Sequence, residues 1–198
     1  VSYGGASYLE IGLGSGQAIM LAGVAETQLG SANFTFKDTN ASDTIVGNSG
    51  NNLLVANSGN DTLVGGGGSD TYRVGSSFGQ DVIQNNASDG VMAAMGEVDF
   101  GAGIADQDLW FQQVGNDLQI DKLGTQDSVT VSNWYGNDRA QVQTFALADG
   151  MRIDSQIAQL VSAMATYSAA NPGFDPSLAT SMPTDAALTS AIGSSWHT

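Results

Sequence analysis

The chain has 198 residues and a formal net charge of −15, with no cysteine. That length is enough for one or two domains with a real core. The charge disfavours nucleic acid and anionic membranes as partners and favours cations, and without cysteine there are no disulfides or thiolate metal sites. The acidic residues are almost all Asp, with Glu only at Glu10, Glu26 and Glu97. Short Asp side chains suit tight turns and oxygen cages for hard cations. No window approaches the length of apolar sequence that a membrane-spanning helix needs. No N-terminal segment reads as a signal peptide, so an export address, if there is one, is expected elsewhere.

Residues 1–37 read as β-strands. Apolar residues alternate over Tyr8–Leu13, Gly14-Ser15-Gly16 signals a turn, Ala18–Leu21 forms a second strand, and Phe34 and Phe36 alternate again. Residues 38–84 carry five copies of one nonapeptide. They read DTNASDTIV (38–46), GNSGNNLLV (47–55), ANSGNDTLV (56–64), GGGGSDTYR (65–73) and, after two extra residues, SSFGQDVIQ (76–84). Aligned, they give G-G-x-G-x-D-x-U-x, where U is a large apolar residue.

Each position of the repeat has a chemical role. Glycines at positions one, two and four permit tight turns and let backbone carbonyls crowd a small ion. Position six supplies Asp43, Asn52, Asp61, Asp70 and Asp81. Positions seven to nine make a very short strand whose apolar residue (Ile45, Leu54, Leu63, Tyr72 or Ile83) points inward. Each nonapeptide is half of one coil, so turns two repeats apart stack on the same edge. This predicts that Asp43 faces Asp61, Asn52 faces Asp70, and Asp61 faces Asp81. Stacked carboxylates and inward carbonyls repel one another, and a calcium ion held by about six to eight oxygens relieves that repulsion. Folding and calcium binding are then coupled. Asn52 carries one charge less than its counterparts, so its site is expected to be the weakest. A flexible Gly/Asp linker is the competing reading, but a linker has no need of periodic Ile, Leu and Tyr.

Residues 85–153 predict short strands at Glu97–Phe100, Leu109–Val114, Leu118–Asp121, Ser128–Ser132 and Val142–Leu147, with turn signals at 115–117, 123–125, 136–138 and 149–150. Apolar residues then fall at helical spacing over 154–168, with Asp154 or Ser155 as the N-cap. Residues 169–198 read as a linker (169–183) followed by a weak helix from Asp185 to Trp196. Trp110, Phe111, Trp134 and Tyr135 are expected to be core or cap residues rather than a sugar-stacking platform. His197 has no partner at meaningful spacing. The pairs Asp149/Asp154 and Asp106/Asp108 read as turn and cap residues rather than as an acid–base pair.

The nonapeptides resemble the repeats-in-toxin (RTX) β-roll. The downstream runs FGAGIADQDLWFQQVGNDLQI (100–120), DSVTVSNWY (127–135) and FALADGMRI (145–153) resemble the haemolysin-type calcium-binding-related region found after such repeats. The tail ending in IGSSWHT is similar to the C-terminal ends of proteins exported by type I secretion systems. The resemblance implies a mainly β fold: a parallel β-roll flanked by N-terminal strands and a C-terminal β cap with one or two helices. It also implies about two or three calcium ions, held by Asp43, Asp61, Asp70, Asp81 and Asn52. Carbonyls of Gly47, Ser49, Ser58, Gly65 and Gly67 are further candidate ligands. It implies a non-catalytic, monomeric folding and secretion module of a large extracellular adhesin-like protein, exported by the type I machinery through an uncleaved C-terminal signal. The alternative is the C-terminal module of a secreted lipase, protease or epimerase whose catalytic domain lies upstream. A sugar- or ice-binding face built on Thr44, Thr62 and Thr71 ranks below both, because Leu53 interrupts the row.

Overall fold

The computed structural model describes residues 2–3, 6–14, 17–22, 35–37, 41–85 and 96–198. Two compact units make up the chain, Val1–Phe34 and Thr35–Thr198. In the first unit, β1 (Ser2–Tyr3), β2 (Ala6–Gly14) and β3 (Gln17–Ala22) form an antiparallel sheet in that order. The alternating segments predicted at 8–13 and 18–21 lie inside β2 and β3. Ser15 and Gly16 of the predicted turn, Phe34, and residues 38–40 of the first repeat lie outside the described residues.

In the second unit the repeat sets the strands. Positions seven to nine become extended because the glycine- and asparagine-rich turns on either side leave only that stretch free to pair. They lie in β5 (Thr44–Val46), β6 (Leu53–Ala56), β7 (Thr62–Val64), β8 (Thr71–Val74) and β9 (Gln80–Gln84), preceded by β4 (Thr35–Lys37). Successive strands go to opposite sheets. Strands β4, β6 and β8 pair in parallel in one sheet, and β5, β7 and β9 in the other. The apolar residues therefore stack as two ladders, not one. Ile45 registers with Leu63 and then Ile83, while Leu54 registers with Tyr72. All five are buried, and each contributes about 1.5–3 kcal/mol relative to an exposed side chain. The outward threonines divide in the same way: Thr44 and Thr62 share one sheet, and Thr71 lies beside Leu53 on the other.

The strands after the repeats continue both sheets. Strand β10 (Gly96–Phe100) pairs in parallel with β8, and β14 (Val142–Leu147) in parallel with β10. Strand β13 (Ser128–Val131) pairs in parallel with β9. β11 (Leu109–Val114) and β12 (Asp117–Lys122) then add in antiparallel fashion, and β15 (Arg152–Ile153) closes the other side. The result is two six-stranded sheets, β15-β14-β10-β8-β6-β4 and β11-β12-β13-β9-β7-β5. The apolar ladders lie between the two sheets and bury the inward face of each.

Among the described residues two α-helices complete the unit, α1 (Ile157–Ala170) and α2 (Ala186–Ser195). Asp185 caps α2, accepting from the N–H groups of Ala187 and Leu188 at 3.0 Å each. The N-cap of α1 is Gln156, not Asp154 or Ser155. Asp154 instead accepts from Ser155 and pairs with His197 Nε2 at 3.4 Å, and Ser155 lowers its pKa. His197 thus has partners that linear spacing conceals, since its backbone also exchanges hydrogen bonds with Arg152. Trp110, Phe111 and Trp134 are buried, as predicted for core residues, while Tyr135 is 37% exposed. Phe111 packs edge-on to Phe145 and to Trp196, with ring centroids 5.7 and 6.4 Å apart. Among the described residues no helix is long and apolar enough to cross a membrane.

Candidate metal centre

Three of the position-six residues, Asp43, Asn52 and Asp61, are held at two points by the next turn on their edge of the roll. The N–H of Asp43 donates to Asp61 Oδ1 at 2.8 Å, and its carbonyl accepts from Thr62 N–H at 2.9 Å. Asp61 repeats the pattern with Asp81 Oδ1 at 2.9 Å and Val82 N–H at 2.8 Å. On the opposite edge Asn52 does the same with Asp70 Oδ1 and Thr71 N–H, both at 2.8 Å. The pairs foreseen from the half-coil geometry are therefore brought together, and the two edges separate Asp43, Asp61 and Asp81 from Asn52 and Asp70.

Asn52, Asp61, Asp70 and Asp81 are at most 3% exposed. Burying carboxylates is costly unless hydrogen bonds or a cation compensate. Asp70 makes the cost visible. Its Oδ1 takes the Asn52 N–H, while its Oδ2 is buried with no hydrogen-bond donor. Burial pushes its pKa from 3.8 up to about 6, only partly offset by the Asn52 N–H. Tyr72, buried two residues on, has its pKa raised by the same burial and by the Asp70 charge. Its hydroxyl donates to Asn85 Oδ1 at 2.8 Å.

The turns press against these groups. A side-chain carbon at Gly65 would collide with Asp70 Oδ2 and with the Tyr72 hydroxyl, so only glycine fits there. Gly66 and Gly68 sit at φ +91° and +94°, the left-handed region that glycine enters without strain. Of the candidate carbonyl residues, Gly65 and Gly67 are buried, Gly47 and Ser58 are partly covered, and Ser49 is exposed. All five lie in the turns that lead to position six. Among the described residues no three His, Cys, Asp or Glu side chains converge, so a cation here would depend on backbone oxygens as well as carboxylates. Hard oxygen donors of this kind, with Asp70 Oδ2 unpartnered, suit calcium.

Asn52 behaves differently. Its Oδ1 accepts the N–H of Asn48 at 2.7 Å, and its Nδ2 donates to Asn48 Oδ1 at 3.2 Å. The amide is engaged within its own turn. Position five, which the sequence reading passed over, carries a second polar ladder. Asn60 N–H donates to Ser42 Oγ at 3.1 Å, Ser69 N–H to Asn51 Oδ1 at 2.8 Å, and Gln80 N–H to Asn60 Oδ1 at 2.9 Å. The signal was present: Ser42, Asn51, Asn60, Ser69 and Gln80 are all polar and uncharged. Asp106, Asp108 and Asp149 accept backbone N–H groups of Gln107, Ala105 and Met151, which are turn and cap roles.

Parallel half-coils with buried, stacked position-six carboxylates define a calcium-binding β-roll. Residues 39–72 match the family model of the RTX calcium-binding nonapeptide repeat (4 copies), and residues 117–156 match that of the haemolysin-type calcium binding protein related domain. The chain thus carries RTX haemolysin-type calcium-binding repeats and a haemolysin-type related region after them, and repeats of this family bind calcium.

Proposed function

We propose that this chain is a calcium-triggered folding and secretion module without catalytic activity. Residues 38–84 form its metal-binding part, with 1–37 leading in, 85–153 and the 154–168 helix capping, and 169–198 as the secretion-signal-like tail. Asp43, Asp61, Asp70 and Asp81 provide the carboxylate ligands and Asn52 a weaker amide. Carbonyls of Gly47, Ser49, Ser58, Gly65 and Gly67 complete the shells of about two or three ions. Asp61 is shared between two of the sites.

The observation that carries this reading is the buried Asp70 carboxylate with its unpartnered Oδ2. Bound calcium supplies the positive charge that offsets this burial. The residues do the rest: position-six carboxylates clamp neighbouring turns, and the apolar ladders hold the coils in register. Cytosolic calcium lies well below the ~10⁻⁴–10⁻³ M affinities of extracellular calcium modules. The acidic chain would therefore stay unfolded in the cell, pass the type I machinery, and fold outside as part of a large adhesin-like protein.

Non-catalysis is supported by the cap roles of Asp106, Asp108 and Asp149. Circular dichroism in chelator and then in millimolar calcium tests the folding claim, and isothermal titration tests the uptake. Strand signal is expected to appear only with calcium. A fully folded chelated chain, or no heat of calcium binding, refutes the reading.

A further inference from the structure

The edge that carries Asp43, Asp61 and Asp81 does not stop at the fifth nonapeptide. Strand β13 extends the β9 side of the roll in parallel, with Ser128 opposite Gln80. The turn before it, 122–127, therefore stacks on turn 76–81. It repeats the two-point clamp. The N–H of Gly79 donates to Asp127 Oδ1 at 3.2 Å, and the Gly79 carbonyl accepts from Ser128 N–H at 2.8 Å. Read in the repeat frame, 122–130 is KLGTQDSVT, with Asp127 at position six and buried Val129 at position eight. It is a hidden half-coil, slipped by two residues and built into the β12–β13 hairpin. Thr125 Oγ1 fixes its shape by donating to the Lys122 carbonyl and accepting from Asp127 N–H.

This half-coil has what none of the five repeats has: a cation at position one. The Lys122 ammonium donates to the carbonyl of Ser76, which is position one of turn 76–81. In the repeats, position-one carbonyls are among the candidate calcium ligands. We propose that the Lys122 ammonium closes this edge of the ladder in place of a metal ion, so that no calcium site follows turn 76–81. The proposal rests on the calcium reading of the repeats. The opposite edge ends differently. Gly96 takes the register position after Asp70, and the Asn85 amide lies beside it, accepting from Tyr72 and donating to the Gln141 carbonyl at 2.8 Å each. The edge of Asp43, Asp61 and Asp81 thus passes from metal-dependent to metal-free construction where the roll meets the later strands.

The test compares the whole wild-type chain with Lys122→Met and Lys122→Arg. Each is melted in EGTA with enough trimethylamine N-oxide to keep the wild type folded, and tryptophan fluorescence follows unfolding. Lys122→Met keeps the stem but loses charge and donor, and it is expected to melt about 3–6 °C lower. Lys122→Arg retains both and is expected to melt within about 1–2 °C of the wild type. A Met variant that fails to fold beside an Arg variant that folds also supports the proposal. Equal loss in both variants, or loss in neither, overturns it. Calcium uptake by the wild type, counted by equilibrium dialysis, separates the two levels. A wild type that takes up none refutes the calcium reading itself, and with it the comparison drawn for Lys122.

Discussion

The substitution Asp70→Asn should act in opposite directions with and without calcium. In the metal-free fold the Asp70 pKa is raised to about 6 from 3.8, so the folded state binds more protons than the unfolded state between those values. The folded chain therefore loses stability as pH rises through that window, and the penalty is complete above it. At pH 7 it amounts to about 3 kcal/mol. The amide removes that penalty but accepts the Asn52 N–H through a neutral oxygen, a weaker bond by about 1 kcal/mol. The net gain without metal is about 1–2 kcal/mol. With calcium the variant lacks a charged ligand. A 100-fold loss of affinity would remove about 2.7 kcal/mol of linked stability. The assay has two arms. In EGTA, trimethylamine N-oxide is titrated until the strand signal appears, and the Asp70→Asn variant should need less of it than the wild type. In millimolar calcium, urea unfolding should place the variant below the wild type. The wild type in EGTA should also need less osmolyte at pH 5 than at pH 7, a difference that the substitution flattens. A variant harder to fold in EGTA, or one with an unchanged calcium response, refutes the reasoning.

Two further substitutions test the packing around this centre. Gly65→Ala should cost about 2–4 kcal/mol in calcium, because the new carbon meets Asp70 Oδ2 and the Tyr72 hydroxyl; a urea midpoint equal to the wild type would show that the turn yields freely. Trp196→Ala should cost about 3–5 kcal/mol and free the tail, since Trp196 is 4% exposed and packs on Phe111; hydrogen exchange at His197 that stays as slow as in the wild type would contradict this.

The roll was legible in the sequence because every copy solves the same local problem. A turn at positions one to six and an inward residue at position eight recur, and the half-coil rule then pairs Asp43 with Asp61 and Asn52 with Asp70. The strands at 109–114 and 142–147 were legible as short segments set between turn signals, with bounds as predicted. What stayed hidden depends on contacts distant in sequence. Asn52 is engaged by Asn48, so the amide substitution is an internal bond as well as a lost charge. His197 meets Asp154 only because the chain returns to β15. Turn 122–127 was legible only as a turn signal at 123–125, and its kinship with the repeats stayed hidden because a hairpin interrupts the period and the register slips by two residues. The N-cap of α1 falls on Gln156 because Asp154 is already held by Ser155 and His197.

The parallel seams at β8–β10 and β9–β13 have a practical consequence. Glu97 N–H donates to the Asp70 carbonyl at 2.8 Å, and Ser132 N–H to the Ile83 carbonyl at 2.9 Å. A gene fragment cut at residue 85 would thus strip a paired row from each sheet and bare two open edges at once. Such a fragment is a template for strand addition between copies, and filaments or precipitate are the outcome to plan for. Anyone borrowing these repeats as a calcium-responsive part should carry residues 96–198 along with them.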